Sequence, residues 1–268
     1  IPIGHCHGGE LTEGALDDGF RHAITKLSHL HFVSTAQSRA RVIQMGEDPD
    51  SVYLVGGLGV ENINRLELIP RSRLELELGF SLDPPLVLCT YHPETIGSCS
   101  VPQDYSSVLK ALGRRPELRI LFTLPNADQE SRKLMEITQN YVRQDPSRRH
   151  CSASLGRQRF LSALASSQGL IGNTSSGILE APALKVGTIN IGDRQKGRER
   201  ASSIIDCRAD EESVHQALER LLSQPFQASL PETQSAYGTG NASEKIVPVL
   251  LERHLTGIDK KSFYNLSV

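Results

Sequence analysis

The sequence predicts an α/β protein of doubly wound parallel sheets arranged as two units. Apolar runs of four to six residues alternate with amphipathic helical patterns from one end of the chain to the other. Such runs carry no polar face, as expected of parallel strands covered on both sides. The rhythm breaks once, over the charged stretch from Pro70 to Leu82, which has no strand pattern and reads as a link between two units.

Ile1-Pro2-Ile3-Gly4-His5 reads as a strand entering a loop. Asp17 and Asp18 are placed to cap a helix whose apolar positions Phe20, Ala23, Ile24, Leu27 and Leu30 recur at helical spacing. A strand over 31–35 follows, then a helix over 36–45 with Gly46 placed to end it. Val52-Tyr53-Leu54-Val55 is the next strand, and a short helix is expected over 61–66. Beyond the link, strands are expected over 86–91, 119–123, 169–172, 187–191 and 203–206, with a weaker one at 150–152. Helices are expected over 104–113, 128–142, 157–166, 177–184, 211–223 and 242–254, and the tail from Thr256 has no clear pattern. The division is therefore 1–70 for the first unit, 71–82 for the link, 83–240 for the second unit, and 241–268 for a C-terminal helix and tail.

Composition narrows the function. Hydrophobic residues make up 38% and charged residues 22%, and the net charge is −2, so there is no basic surplus to hold a nucleic-acid backbone. No apolar run approaches the roughly 18 residues of a membrane helix. Five scattered cysteines, with no C-x-x-C pair, give neither a disulfide framework nor a zinc knot and fit a reducing cytoplasm.

In open parallel sheets, ligands lie beyond the carboxyl ends of the strands. The unusual residues fall there. After the first strand comes His5-Cys6-His7-Gly8-Gly9-Glu10, followed by Asp17-Asp18. Neighbouring imidazoles and carboxylates shift one another's pKa values, which suits acid–base chemistry. The same residues also fit a polar turn before a capped helix, and no metal-ligand spacing is diagnostic. His92-Pro93 follows the strand at 86–91, and Asn126 follows the strand at 119–123. After 169–172 comes Asn173-Thr174-Ser175-Ser176-Gly177, then Glu180 one turn into a helix. Hydroxyls and free N–H groups at a helix N-terminus make an anion site suited to a diphosphate, and Glu180 can accept from a ribose. The loop Gly192-Asp193-Arg194-Gln195-Lys196-Gly197-Arg198-Glu199-Arg200 offers forked donors for phosphate, Arg194 nearest the strand end; Lys196 and Arg200 read equally well as solvated cations.

The order of these motifs resembles the hydrolysing UDP-N-acetylglucosamine 2-epimerases of sialic and related nonulosonic acid synthesis. The resemblance rests on His5–Glu10, Asp17-Asp18 with Arg21–Leu27, Val55-Gly56-Gly57, His92-Pro93, Pro125–Asp128, Gly172–Gly177 and Ile191–Glu199, and spans nearly the whole chain. It implies two Rossmann-like domains facing a cleft, the glycosyltransferase-B arrangement. The first would be incomplete, because members carry a further stretch before the position matching Ile1, including an Asp-Arg pair near the sugar. The chain is accordingly read as a fragment.

The resemblance also implies the reaction. A base removes the C2 proton while UDP leaves C1, giving a glycal, and water then adds to release the free 2-epimer. His92, Asp17 and His5 match active-site positions. Thr174 and Ser175 match the hydroxyl pair on the diphosphate, Glu180 the ribose ligand and Arg194 a cleft residue. Asn126, Glu61, Gly9 and Asp18 match contact positions. Many members have Glu where this chain has His7, so the proton-handling group is left among His7, Glu10 and Asp17. The substrate is left between UDP-N-acetylglucosamine and a 2,4-diacetamido UDP-sugar. No cofactor or metal is implied, and a homodimer is. Two alternatives stay open: a UDP-sugar-dependent glycosyltransferase of the same fold, in which no base at C2 is needed, and a non-catalytic nucleotide-binding remnant.

Overall fold

The computed structural model describes residues 1–12, 17–93, 101–124, 129–253, 258 and 260–266. Two sheets form, and every strand pairing in them is parallel. In the first, β1 (Gly4–Cys6), β2 (Leu30–Val33) and β3 (Val52–Leu54) lie in that order, with Cys6 opposite Phe32 and Phe32 opposite Tyr53. Helix α1 (Asp17–Leu27) connects β1 to β2, α2 (Ala36–Gln44) connects β2 to β3, and α3 (Leu58–Asn64) leaves the sheet.

The second sheet is built in the order α4 (Arg71–Leu78), β4 (Leu86–Thr90), α5 (Val101–Gly113), β5 (Arg119–Thr123), α6 (Gln129–Arg143), β6 (Arg149–Ser152) and α7 (Gly156–Ala165). There follow β7 (Gly169–Gly172), α8 (Ser176–Ala183), β8 (Gly187–Ile191), β9 (Ile204–Cys207), α9 (Glu211–Leu222), α10 (Gln224–Ser229) and α11 (Ala242–Glu252). Its strand order is β6-β5-β4-β7-β8-β9. The chain winds outward from β4 on one side and from β7 on the other, so the crevice expected at a reversal of winding opens past Thr90 and Gly172.

Both faces of this sheet are covered. Leu86 and Leu88 pack with Leu121, Leu164 and Leu170 on one side. Val87 and Cys89 pack with Ile120, Phe122, Ile171 and Leu218 on the other. Alternate residues of β4 thus enter two different cores, which is why its sequence is apolar throughout. Gly172 ends β7 at φ 139, and a Cβ there would lie 1.8 Å from the Thr90 carbonyl oxygen. Gly172→Ala is expected to lower the unfolding free energy by on the order of 3 kcal/mol, read from urea denaturation, since backbone must move to admit the methyl.

Four expectations change. The stretch 70–82 contains a helix, α4, whose Leu74 is fully buried with Phe80 and Leu82 in the core of the second sheet. Its leucines at 74, 76 and 78 alternate at strand spacing, and Leu76 is 85% exposed, so no helical stripe shows. Helix α10 was not anticipated; the Ser223 hydroxyl accepts from the Phe226 N–H and Pro225 sits in its first turn. In α1, Phe20, Ile24 and Leu27 are exposed, while Thr25 is buried.

The described residues of the tail, finally, pack against the first unit. The Tyr264 N–H donates to the Gly46 carbonyl at 2.9 Å. Lys261 Nζ reaches Glu47 at 2.6 Å and the carbonyls of Lys26 and Ser28 at the end of α1. Lys26 and the fully buried His31 also bind Glu47, at 2.6 and 2.9 Å. Burial pushes His31 down to about 4, against the pull of Glu47. Ala242 and Ile246 of α11 pack with Leu30, Phe32 and Val55, so this helix also belongs to the first sheet.

Candidate active site

The loop after β1 is shaped by two left-handed residues, His7 at φ 63 and Gly9 at φ 76. At Gly9 a Cβ would lie 2.4 Å from the Ser38 carbonyl oxygen, so only glycine fits. This turn sets His7 Nδ1 2.7 Å from Glu10 Oε1, and the Ser34 hydroxyl donates to the same oxygen at 2.7 Å. Glu10 is 5% exposed, whereas the His7 side chain is 30% exposed. Burial alone would raise the Glu10 carboxyl. The hydrogen bond and charge of His7, the Arg198 guanidinium and the Ser34 hydroxyl outweigh it and hold the group at about 2.

Helix α1 and α2 brace the loop. Arg21 donates to the Glu10 carbonyl at 3.0 Å and to Thr12 Oγ1 at 3.2 Å, Asp18 accepts from the Thr12 N–H at 2.7 Å, and Arg41 donates to the Gly9 carbonyl. His5 Nδ1 lies 3.2 Å from Thr25 Oγ1; burial, then the charges of Arg21 and His7, lower its pKa. Asp17 is exposed in the first turn of α1.

The second half of the site lies where β4 and β7 end. Asn173, fully buried, accepts from the His92 N–H at 2.7 Å and donates to the His92 carbonyl at 2.8 Å. It thereby fixes His92 beside the turn Thr174-Ser175 that opens α8. Thr174 is 8% exposed, with Oγ1 3.4 Å from the Ser176 N–H, and Ser175 precedes the first helical residue without capping it through its side chain. Arg194 Nη1 and Gln195 Nε2 donate to the Asn173 carbonyl at 3.1 and 2.9 Å, which ties the loop after β8 to the same turn. Glu180 lies one turn into α8, 4.0 Å from Arg157. The Thr174 and Ser175 hydroxyls and the Arg194 guanidinium thus lie together at the N-terminal end of α8, where the helix dipole favours negative charge.

The two halves meet through Arg198, whose side chain is 8% exposed. Its Nη2 lies 3.5 Å from both Glu10 Oε2 and Thr12 Oγ1. His5, His7, Gly9 and Glu10 thus lie on the loop after β1 with Asp18 of α1 bonded to it, and His92, Thr174, Ser175 and Arg194 lie together past the ends of β4, β7 and β8. Glu61 is not among them. It is 3% exposed, and its carboxylate accepts from the Ser243 N–H at 2.6 Å and from the Ser243 hydroxyl, which pulls its pKa down and anchors α11. Asn126 lies outside the described residues. Asn173, Gln195 and Arg198 were not singled out from sequence. Among the described residues, no group of three His, Cys, Asp or Glu side chains is arranged to hold a metal ion, and no helix is long and apolar enough to cross a membrane.

The family described as UDP-N-acetylglucosamine 2-epimerase matches residues 1–251. The chain is 38% identical over 267 residues to a GDP/UDP-N,N'-diacetylbacillosamine 2-epimerase (hydrolyzing) of Campylobacter jejuni, covering 99% of this chain and 69% of that protein. It is 35% identical to the polysialic acid biosynthesis protein P7 of Escherichia coli, covering 99% of this chain and 68% of that one. The crystal structure of UDP-GlcNAc 2-epimerase from Neisseria meningitidis bound to UDP-GlcNAc superposes with a TM-score of 0.80 at 17% identity, covering 94% of this chain and 70% of that one; the likeness is one of fold.

Proposed function

Because the chain belongs to the UDP-N-acetylglucosamine 2-epimerase family, we propose that it serves a hydrolysing 2-epimerase that takes UDP-N-acetylglucosamine or a 2,4-diacetamido UDP-sugar to UDP and the free 2-epimer. The observation that supports the reading is the His7–Glu10 pair, joined by Arg198 to the loop after β8 whose Arg194 and Gln195 hold the Asn173 carbonyl. A carboxylate held at about 2 and 5% exposed is too weak a base and too enclosed to meet a sugar. Its role is to orient His7. With Nδ1–H given to Glu10, His7 presents Nε2 as the base, the logic of a base fixed by a buried carboxylate.

His7 takes the C2 proton, the C2 electron pair forms the C1–C2 double bond, and the C1–O bond breaks with its electrons leaving on UDP. Arg194, Thr174, Ser175 and the positive end of the α8 dipole receive that charge, and His92 lies beside them. Water then adds to the glycal, its oxygen to C1 and a proton to C2 on the face opposite the original one. Asp17, exposed at the end of the same loop, is the residue we assign to this second proton.

Turnover of either UDP-sugar in heavy water is expected to leave deuterium at C2 of the free sugar, read by mass spectrometry and NMR. A product without it means transfer or plain hydrolysis and ends the epimerase reading. A reducing, cytoplasmic setting accords with Cys6, Cys89, Cys151 and Cys207 being free thiols. We also expect a homodimer using the exposed Phe20, Ile24 and Leu27 of α1. Phe20→Asp with Ile24→Asp should then halve the mass seen by light scattering, and a wild-type monomer would refute it.

A further inference from the structure

We propose that Arg198 is a positioning residue that carries occupancy of the diphosphate turn across the cleft to Glu10. The inference rests on the nucleotide site proposed above. One loop makes both contacts: Arg194 and Gln195 grip the Asn173 carbonyl, on the peptide entering Thr174, and four residues after Arg194 the Arg198 fork reaches Glu10. A shift of the turn around a bound diphosphate is therefore transmitted to the guanidinium.

The contact is open rather than closed. Its 3.5 Å exceeds the roughly 2.7–2.9 Å of a tight charge-assisted hydrogen bond. Arg198 Nε and Nη1 are buried and have no hydrogen-bond partner among the described residues. A guanidinium retained only for stability would spend those donors, because burying them unmade is costly. A cavity of about 10 Å³ beside Glu10, Arg41, Arg198, Glu199 and Tyr237 leaves space only for a short approach of the fork, and the 3.5 Å contact needs no more than that to close. The other Glu10 oxygen already holds His7 and Ser34. Tightening of Arg198 on Oε2 thus stiffens the carboxylate that orients the base, and does so when nucleotide is in place.

The test is hydrogen–deuterium exchange of the 268-residue chain with and without UDP. In wild type, UDP is expected to protect the amides of residues 174–177, which it touches, and also those of residues 5–12 across the cleft, by about tenfold or more. Arg198→Met should still bind UDP and protect 174–177 but lose the protection of 5–12, and Arg198→Lys, which keeps the charge without the fork, should restore part of it. Glu10→Gln removes the negative charge that draws the guanidinium and can set an amide N–H against it, so it should give the same loss, which covers the case of an Arg198→Met chain that does not fold. Full protection of 5–12 in Arg198→Met or Glu10→Gln overturns the inference, as does UDP binding to wild type that leaves 5–12 unprotected. Failure of wild type to bind UDP at all overturns the nucleotide site itself, and this inference with it.

Discussion

His7→Ala is expected to fold like wild type and to lose C2 deuterium exchange by about 10²–10⁴-fold, the usual worth of a positioned general base. Its side chain is 30% exposed and, among the described residues, one side-chain hydrogen bond leaves with it. Glu10→Ala should lose both activity and stability. It removes the acceptor of His7 and Ser34 and strips Arg198 of its carboxylate, and a buried charge left alone costs about 3–5 kcal/mol. The two variants thus separate the base from its support.

The pH dependence follows the same residue. Glu10 is held at about 2, below its ordinary 4.5, so its ionised form favours the folded state. That contribution, about 3 kcal/mol, is complete above pH 4.5 and is lost as pH falls from there toward 2. The stability gap between wild type and Glu10→Gln should close over that window in denaturant titrations. Retained exchange in His7→Ala, or a gap that stays constant with pH, would reject this assignment of roles.

Asn173→Asp is expected to weaken UDP binding by about a hundredfold and, because the new carboxylate is buried, to lower stability by about 1–3 kcal/mol. One carboxylate oxygen can still accept from the His92 N–H, but the other replaces the Nδ2 donor and faces the His92 carbonyl, acceptor against acceptor. The substitution also places a negative charge directly before the turn proposed to hold a diphosphate. Asn173→Ala removes the brace without the charge and should cost closer to tenfold. Calorimetry with UDP distinguishes them, and equal affinities for Asn173→Asp and wild type would mean the anion seat lies elsewhere.

Much of the second sheet was legible because its strands are buried on both faces. β4 and β7 read as apolar runs, β5 holds Ile120-Leu121-Phe122 and β8 alternates apolar residues with the buried Thr188 and Asn190, and the residues closing β4 and β7 fall at the crevice. The first loop was legible for its chemistry, though not for the left-handed His7 that joins it to Glu10. What escaped was decided by distance along the chain. Glu61 carries the side chain of a ligand residue, but its partner Ser243 lies 182 positions later. Arg198 and Arg200 are indistinguishable as letters; the fold covers the first and pairs the second with Asp206 at 3.2 Å. Helix α4 hid because its leucines alternate like those of a strand, and the tail hid because Lys261 acts by bonding carbonyls rather than by any pattern of its own.

The return of α11 and the tail to the first sheet has a mechanical consequence. The backbone passes between the two bodies twice, once after α3 and again before α11, and the Gly57 N–H donates to the Tyr237 carbonyl at 2.7 Å beside the second passage. The passages are not the whole of the join: Val60 of α3 packs on Ile178 and Tyr237, and Arg157 and Gln158 donate to the Gly59 and Glu67 carbonyls, so apolar packing and hydrogen bonds reinforce the covalent crossings.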